Sequence, residues 1–333
     1  MKDKLTFGVF GGGSWGTAIV KMLTENLEQV NWYMRSDSAI RHIKKEWHNP
    51  NYLSSVEFDV DQLVMSFDIN EVVEASDVLI FAIPSAFLDR ELQNLTVSLK
   101  DKIIFSAIKG IVPETGRIVG EHFNEKYDIP FENIGVITGP CHAEEVALER
   151  LSYLTIACAD ADKAKMLAAH LKSDYIRTKI SDDIIGTEYA AMLKNIYAIA
   201  AGIAHGLGYG DNFQSVLMSN AIREMKRFID RVYKMKRNIN ASAYLGDLLV
   251  TGYSVFSRNR MFGNMIGKGY TVKSAMMEMN MVAEGYYATQ SAHDLMEKLQ
   301  KKSKTPIIHA VYQVLYKNKN PKKVFEKLTE KLD

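Results

Sequence analysis

The chain has 333 residues, of which 47% are hydrophobic and 24% are charged, the composition of an ordinary globular protein with about two domains. Lys and Arg number 41 against 40 Asp and Glu, and the resulting net charge of +1 excludes a general attraction to nucleic acid or acidic membranes. The two cysteines cannot form a disulfide framework, and their spacing does not indicate zinc, so we expect a reduced compartment and no metal. The first apolar segment is too short for a signal peptide, and no run reaches the roughly 20 residues of a membrane span. We therefore expect a cytoplasmic protein.

Short segments rich in Val, Ile and Phe alternate with helical patterns in the first half. The predicted strands are Leu5–Phe10, Val30–Met34, Val78–Ile83, Ile103–Ile108, Ile134–Thr138, Leu154–Ala157 and Tyr175–Thr178. The predicted helices between them are Thr17–Asn26, Phe87–Leu99, Glu114–Lys126 and Asp162–Leu171. Several strands lack polar alternation, as strands covered on both faces do. The pattern predicts a mostly parallel α/β domain over residues 1–183.

Strand patterns fade after about residue 183. The helices predicted beyond it are Tyr189–Leu207, Phe213–Tyr233, Ala241–Val250, Val272–Met279, Glu284–Lys301, Pro306–Tyr316 and Pro321–Leu332. Two of them begin at a proline, a residue that fits the first helical turn. Residues 184–333 are thus predicted to form an all-helical domain, which we expect to bind the substrate.

A glycine motif follows the first predicted strand. Gly11, Gly13 and Gly16 form G-x-G-x-x-G, with Ser14 and Trp15 between the last two. The first glycine permits a tight turn, the second lets a pyrophosphate approach the backbone, and the third lets the helix pack close to the strand. The alternative is a glycine-rich turn without a ligand, but a position between strand and helix is the context that dinucleotide binding requires. We predict a Rossmann-type domain that binds NAD or NADP.

Arg35 stands at the end of the second predicted strand, where an acidic residue would bind the ribose hydroxyls of NAD. A guanidinium suits a 2′-phosphate, which favours NADPH. Arg35 could also stack on adenine and serve NAD, or be a solvated surface residue. We expect NADP or NAD, with NADPH slightly favoured.

Lys194 is the only residue with a permanent charge in the predicted helix Tyr189–Leu207. Surface helices carry charges along one face, so this helix is predicted to be buried. Burial disfavours the ammonium form, and catalytic lysines arise in this way. The alternative is a lysine that extends to the surface or pairs with a carboxylate. Our hypothesis is that Lys194 is a general base.

Further polar residues suit an anionic ligand. Ser257-Arg258-Asn259-Arg260 places hydroxyl, guanidinium and amide donors in one turn, which is either an oxyanion clamp or an exposed arginine-rich turn. Asp247 lies between apolar residues and is either a helix cap or a substrate hydroxyl acceptor. Lys109-Gly110 and Gly139-Pro140 each follow a predicted strand, on the ligand side of a parallel sheet.

Taken in order, these segments resemble the NAD(P)-dependent glycerol-3-phosphate dehydrogenases of bacterial type over nearly the whole chain. The motifs that carry the resemblance are Gly11-Gly12-Gly13-Ser14-Trp15-Gly16-Thr17-Ala18, Ile83-Pro84-Ser85, Lys109-Gly110, Gly139-Pro140, Leu193-Lys194-Asn195, Leu245-Gly246-Asp247-Leu248, Ser257-Arg258-Asn259-Arg260-Met261-Phe262-Gly263 and Val282-Ala283-Glu284-Gly285. The resemblance implies reversible reduction of dihydroxyacetone phosphate to glycerol 3-phosphate, with Lys194 as general acid and base. It also implies a cytosolic homodimer that supplies glycerophospholipid synthesis.

The resemblance also implies roles for individual residues. Besides Gly11, Gly13 and Gly16, the implied contacts of the dinucleotide are Ser14, Trp15, Arg35, Lys109, Ala143, Arg258, Val282 and Glu284. The implied contacts of the substrate are Lys109, Gly139, Cys141, Lys194, Asp247, Ser257, Arg258 and Asn259, with Arg258 and Asn259 nearest its phosphate.

Cys141 departs from the family pattern, which has Ser or Thr after Gly-Pro. A thiol is a weaker donor than a hydroxyl, so a contact through this side chain is in doubt, whereas backbone contacts would survive. A Cys141–His142 nucleophile pair is disfavoured because hydride transfer needs no covalent nucleophile. The alternatives for the whole chain are another 3-hydroxyacid or sugar-phosphate dehydrogenase, or a non-catalytic dinucleotide sensor.

Overall fold

The first half of the chain forms an eight-stranded sheet in this computed structural model, which describes residues 5–279, 283–299 and 305–333. Its strands are β1 (Phe7–Phe10), β2 (Val30–Tyr33), β3 (Leu63–Ser66), β4 (Val78–Phe81), β5 (Ile103–Ser106), β8 (Ile134–Thr138), β9 (Ser152–Cys158) and β10 (Ile176–Ser181). Two further short strands are β6 (Ile111–Val112) and β7 (Arg117–Ile118). The sheet order is β10-β9-β8-β5-β4-β1-β2-β3, and every neighbouring pair is parallel except β8 and β9. The predicted mostly parallel α/β sheet is confirmed.

Helices follow most strands of this unit. They are α1 (Ser14–Thr24), α2 (Asp37–Glu46), α3 (Ile69–Glu74), α4 (Ser85–Leu92), α5 (Val119–Tyr127), α6 (Ala143–Ala147) and α7 (Ala161–Leu171). The central strands β1, β2 and β4 are buried along their whole length, which explains why their sequences lack polar alternation. Strand β3 was not predicted from sequence. It lies at the edge of the sheet, where Val64 is 42% exposed, so its sequence carries a weaker apolar signal.

The register of the central strands sets the position of three loops. Phe10, the last residue of β1, is paired with Tyr33 of β2 and with Phe81 of β4. These strands run parallel and end level with one another, so the loops that follow them emerge at one edge. Those loops begin at Gly11, Met34 and Ala82.

The second half of the chain is helical. Its helices are α8 (Ile184–Gly206), α9 (Asp211–Val232), a π-helical turn (Ser242–Gly246), α10 (Asp247–Tyr253), α11 (Arg258–Gly267), α12 (Val272–Glu278), α13 (Glu284–Lys298), α14 (Pro306–Tyr316) and α15 (Pro321–Thr329). The predicted helical second domain is confirmed as a fold class. Within the described residues, none of the helices combines the length and apolarity needed to cross a bilayer.

The contacts divide the chain into two compact units. The first consists of Met1–Ile108 and Arg117–Ile184, and the second of Lys109–Gly116 and Ile185–Asp333. Residues 109–116 therefore make their contacts chiefly in the helical unit, whereas the sequence prediction assigned them to the first domain. The consequence is that Lys109 belongs to the same unit as Lys194.

Glycines allow α8 and α11 to cross at backbone contact distance. A Cβ atom added to Gly202 would lie 2.1 Å from the carbonyl oxygen of Arg260, and one added to Gly263 would lie 2.1 Å from that of Ile199. Gly206 and Gly267 make the same kind of contact one turn further on. These glycines make room for the backbone of the other helix, and the crossing fixes the two helices that carry Lys194 and Arg258.

Candidate functional site

The glycine loop has the geometry that each of its glycines predicts. Gly11 has a φ of +129°, and a Cβ there would lie 2.7 Å from the carbonyl oxygen of Ala82. A Cβ on Gly16 would lie 2.1 Å from the carbonyl oxygen of Gly11, so the first turn of α1 packs directly on the loop. A Cβ on Gly13 would meet no atom within 4 Å. The loop therefore has one open side, at Gly13.

Two buried side chains fix the carbonyl groups of this loop. The indole of Trp32 donates a hydrogen bond of 2.9 Å to the carbonyl of Gly11. The amide of Asn49 donates to the carbonyl of Gly12 at 3.0 Å and to the Thr17 hydroxyl at 2.9 Å. Asn49 could not be identified from the local sequence pattern, because it lies 37 positions from its partner Gly12.

These residues fit a dinucleotide pyrophosphate. No side-chain hydrogen bond caps α1, which begins at Ser14, and the N-terminus of a helix favours an anion. The open side at Gly13 leaves the backbone accessible from the same direction. The carbonyl oxygens of Gly11 and Gly12, in contrast, accept hydrogen bonds from other protein groups. The loop therefore presents backbone amides, and not carbonyl oxygens, to an anion.

Arg35 lies two residues beyond the end of β2. Its guanidinium Nη1 is 3.3 Å from Oε1 of Glu91, and its side chain is 67% exposed. Glu91 on α4 is buried and was not singled out from sequence. Arg35 is therefore neither a freely solvated arginine nor a buried one, since it is anchored at one side and open at the other.

The predicted residues after β8 are also in the first unit. Gly139 has a φ of +118°, and a Cβ there would lie 2.7 Å from the carbonyl oxygen of Tyr153. Cys141 and Ala143 are buried. Ala143 begins α6, which packs against α1. This part of the predicted site is therefore linked to the helix that follows the glycine loop.

Lys194 and Asp247 form a buried ion pair in the helical unit. The Lys194 ammonium donates a hydrogen bond to Oδ1 of Asp247, and the two side chains are 4% and 2% exposed. The next residue, Asn195, donates from its side-chain amide to the backbone carbonyl of Lys109 at 2.8 Å. Three predicted site residues that are far apart in sequence thus lie together.

The surroundings of Lys194 change its acidity. Burial, together with the positive charge of Lys109, lowers the pKa of Lys194 to about 7 against the opposing effect of the Asp247 carboxylate. Desolvation of an ammonium is costly, and here it outweighs the nearby carboxylate. A lysine with this pKa exchanges a proton near neutral pH, which a surface lysine does not.

A π-helical turn positions Asp247. The backbone N–H of Asp247 donates to the carbonyl of Ser242, five residues earlier, instead of the usual four. Such turns are rare and are frequently found at functional sites. Asp247 then begins α10, and its own carbonyl accepts a hydrogen bond of 2.6 Å from the Thr251 hydroxyl.

The Ser257–Arg260 segment is the start of a helix rather than an isolated turn. The Ser257 hydroxyl accepts a hydrogen bond of 3.3 Å from the N–H of Arg260 and caps α11. Arg258 and Asn259 occupy the first two helical positions, where amide groups point outwards along the axis. Guanidinium, side-chain amide and helix N-terminus together form a site suited to an anion.

Asn259 connects α11 to α13. Its side-chain oxygen accepts a hydrogen bond of 2.9 Å from the N–H of Gly285, the residue after Glu284, which begins α13. A Cβ on Gly285 would lie 2.6 Å from the carbonyl oxygen of Asn195. The segments that carry Lys194, Asn259 and Glu284 therefore meet, whereas Val282 lies outside the described residues.

Comparisons with known proteins identify the family of the chain. Residues 6–164 match the family model described as the N-terminus of NAD-dependent glycerol-3-phosphate dehydrogenase, and residues 183–326 match that of the C-terminus. A protein of Exiguobacterium sp. named glycerol-3-phosphate dehydrogenase (NAD(P)+) is 35% identical over 96% of this chain and 94% of its own length. This chain belongs to the NAD-dependent glycerol-3-phosphate dehydrogenase family. The resemblance found in the sequence is thereby confirmed.

Other members of the glycerol-3-phosphate dehydrogenase family match over similar lengths. A relative of the same name from Oceanobacillus iheyensis is 34% identical over 96% of this chain and 92% of its own. The crystal structure of glycerol-3-phosphate dehydrogenase from Coxiella burnetii has a TM-score of 0.89 and 27% identity, and the match covers 98% of this chain and 99% of that one. Both units of the chain are therefore typical of the family.

Proposed function

We propose that this chain catalyses the reversible NAD(P)-dependent reduction of dihydroxyacetone phosphate to sn-glycerol 3-phosphate, with Lys194 as the general acid and base. The observation that carries the proposal is the buried Lys194–Asp247 pair beside Lys109, in which the pKa of Lys194 is lowered to about 7. Membership of the family supports the substrate and the cofactor class.

Lys194 transfers the proton that the reaction requires. Reduction of the C2 carbonyl adds one hydride to carbon and one proton to oxygen. The chemistry that a bound nicotinamide dinucleotide supplies is transfer of the hydride. In its ammonium form Lys194 donates the proton to the carbonyl oxygen, and in the reverse direction its amine accepts the proton of the C2 hydroxyl. A positioned proton donor contributes typically ~10²–10⁴-fold to the rate.

Asp247 and Lys109 act on Lys194 and on the substrate. The Asp247 carboxylate orients the ammonium and counteracts part of the effect of burial, so that a charged fraction persists at neutral pH. Lys109, whose carbonyl is held by Asn195, supplies a second cation for the oxygens of the three-carbon unit. The Asp247 carboxylate also accepts a hydrogen bond from a hydroxyl group of the substrate.

The N-terminus of α11 binds the substrate phosphate. Arg258 supplies a guanidinium, and the amides of the first helical turn supply further donors. The side-chain oxygen of Asn259 accepts a hydrogen bond from the N–H of Gly285. Its NH₂ group is therefore the part of the amide that donates to the phosphate. Binding of the phosphate away from C2 contributes energy that positions the reacting carbon. Cys141 takes part through its backbone, since its thiol is a weak donor.

The glycine loop and Arg35 bind the dinucleotide. The first-turn amides of α1, with Ser14 and Trp15, face the pyrophosphate, and Arg35 faces the adenosine ribose. Ala143 completes the set of proposed dinucleotide contacts with Lys109, Arg258, Val282 and Glu284, whereas Gly139 is a proposed contact of the substrate. A cytoplasmic homodimer that supplies glycerol phosphate for glycerophospholipids is the physiological setting we propose with this activity.

The deciding experiment follows the absorbance of NADPH and NADH separately with dihydroxyacetone phosphate as the oxidant. We expect turnover that depends on the substrate, with glycerol 3-phosphate as the product by mass spectrometry. Folded protein that binds both dinucleotides and turns over with neither would overturn the proposal. It would then favour a dinucleotide sensor, or a dehydrogenase for another hydroxyacid or sugar phosphate.

A further inference from the structure

A buried carboxylate holds three side chains at the end of β2. Glu91 has a side-chain exposure of 8%, and its Oε2 accepts a hydrogen bond of 2.8 Å from the hydroxyl of Tyr33. Its Oε1 lies 3.3 Å from Nη1 of Arg35 and 3.7 Å from Nη2 of Arg90. A buried carboxylate is costly unless it is paired, and here both oxygens are engaged.

The two arginines share one oxygen but remain open to solvent. Their side chains are 67% and 62% exposed. Because both guanidinium groups approach the same Oε1, they lie close enough together to contact a single tetrahedral anion. The Arg90 guanidinium also lies 5.4 Å from the centre of the Phe87 ring, a contact that restricts its side chain. Two cations around one carboxylate leave a positive charge facing outwards.

The cluster lies beside the glycine loop. Tyr33 is the last residue of β2, and its backbone carbonyl accepts a hydrogen bond of 3.1 Å from the N–H of Gly11. In a Rossmann domain the end of this strand faces the adenosine ribose, and an arginine there accommodates a 2′-phosphate. The position of Arg90, on α4 rather than on the β2 loop, is not one that the glycine motif predicts.

We propose that Arg90 is a second ligand of the cofactor 2′-phosphate, and that Glu91 holds Arg35 and Arg90 as a pair that gives the protein its preference for NADP. This inference rests on the proposed function, since it needs a nicotinamide dinucleotide in the first unit. A phosphate has enough acceptor oxygens for two guanidinium groups, which bind it through charge-assisted hydrogen bonds. A ribose 2′-hydroxyl is uncharged and gains little from the second cation.

The test measures binding rather than turnover. Isothermal titration of the whole protein with 2′,5′-ADP and with 5′-AMP isolates the 2′-phosphate, because the two probes differ in that group alone. The variant is Arg90→Gln, an exposed change that needs no repacking. The matched control is Arg177→Gln on β10 at the opposite edge of the sheet, where an exposed arginine donates to the carbonyl of Ser173 at 2.8 Å.

We expect the native protein to bind 2′,5′-ADP more tightly than 5′-AMP. Arg90→Gln should weaken 2′,5′-ADP binding roughly tenfold, which corresponds to about 1.4 kcal/mol, and leave 5′-AMP within about twofold. Arg177→Gln should change neither. Equal losses for both probes, no loss for either, or a native protein that does not bind 2′,5′-ADP would each overturn the inference. If native protein still oxidises NADH or NADPH with dihydroxyacetone phosphate, the proposed function survives that outcome.

Discussion

The ammonium of Lys194 donates a hydrogen bond to the carboxylate of Asp247 where both side chains are almost fully buried. Removing one member of a buried pair leaves the other charge without compensation, which is strongly destabilising. A buried ion pair usually adds little to the free energy of unfolding, because well-packed apolar residues in its place would often stabilise the fold equally well. The pair lies on a largely apolar helix, and the role in chemistry that we propose for it can be tested directly.

Lys194→Met tests that role. Methionine preserves most of the side-chain length and removes the proton donor, so we expect kcat/KM for dihydroxyacetone phosphate to fall by roughly 10²–10⁴-fold. Cofactor binding, measured by quenching of protein fluorescence with NADPH, should change little because Lys194 is not among the proposed contacts of the dinucleotide. Lys179→Met on β10, an exposed position, is the control for loss of a lysine. Near-native turnover of Lys194→Met would exclude Lys194 as the acid and base.

The pH dependence should follow the lowered pKa of Lys194, which is about 7. Reduction needs the ammonium form, so its kcat/KM should decline as the pH rises through about 7. Oxidation of glycerol 3-phosphate needs the amine, so its kcat/KM should rise over the same range. We would measure kcat/KM for reduction and for oxidation across the neutral pH range. Opposite pH dependences support Lys194 as acid and base, whereas the same dependence in both directions would indicate a group that acts in a single protonation state.

Two variants should move this transition in opposite directions. Asp247→Asn removes the carboxylate that raises the pKa of Lys194, so the transition should shift to lower pH. Lys109→Met removes a positive charge that lowers the pKa, so the transition should shift to higher pH. Both variants should also lose activity, and the position of the transition is the informative quantity. Shifts of the same sign would contradict the arrangement of charges proposed for this site.

Gly13→Ala should separate cofactor binding from folding. Gly13 has φ −80° and ψ 179°, which alanine adopts readily, and its Cβ would meet no atom within 4 Å. The thermal midpoint should therefore stay near that of the native protein. The methyl group would occupy the side of the loop from which a pyrophosphate approaches, so the Kd for NADPH should increase at least about tenfold.

Gly16→Ala provides the contrast within the same loop. Its Cβ would lie 2.1 Å from the carbonyl oxygen of Gly11, so this variant should lower the thermal midpoint as well as the affinity. If Gly13→Ala binds NADPH with native affinity, the open side of the loop is not the pyrophosphate site.

The features that could be predicted from sequence are those that depend on neighbouring residues in the chain. Strand β8 and helix α14 have the predicted bounds, because uninterrupted apolar residues or a proline at the first turn mark them directly. The burial of the helix that carries Lys194 also followed from its composition, whereas the position of the Lys194 side chain was left open. Helix α2 was missed since only Ala39, Ile40 and Ile43 of its ten residues are buried, too few to produce a clear period.

The features that sequence could not predict depend on contacts between distant residues. Glu91 meets Arg35 across 56 positions, and Asp247 meets Lys194 across 53. Glu224 is a further example, since its buried carboxylate accepts hydrogen bonds of 2.9 Å from the N–H groups of Ile307 and Ile308 and caps α14. No spacing rule relates such partners. The fold brings them together, and only their residue types were visible beforehand.

The close crossing of α8 and α11 leads us to expect that a side chain at Gly202 lowers the free energy of unfolding. Gly202→Ala would place a Cβ 2.1 Å from the carbonyl oxygen of Arg260. Because that neighbour is backbone, the helices must separate, and we expect a loss of about 2–3 kcal/mol in the free energy of unfolding. The intrinsic gain of alanine over glycine in a helix, about 1 kcal/mol, offsets part of the cost but not all of it. Urea denaturation measures the difference.

Gly252→Ala in α10 is the matched helical control. There the nearest atoms to an added Cβ are Sδ of Met218 at 2.8 Å and its methyl group at 3.5 Å, the end of a flexible side chain that can move aside. Its unfolding free energy should stay within about 1 kcal/mol of native. Since Gly202 sets the distance between the helix of Lys194 and the helix of Arg258, Gly202→Ala should also raise KM for dihydroxyacetone phosphate. A Gly202→Ala protein as stable as Gly252→Ala would show that the two helices can separate without cost, and the close crossing would then have no structural role.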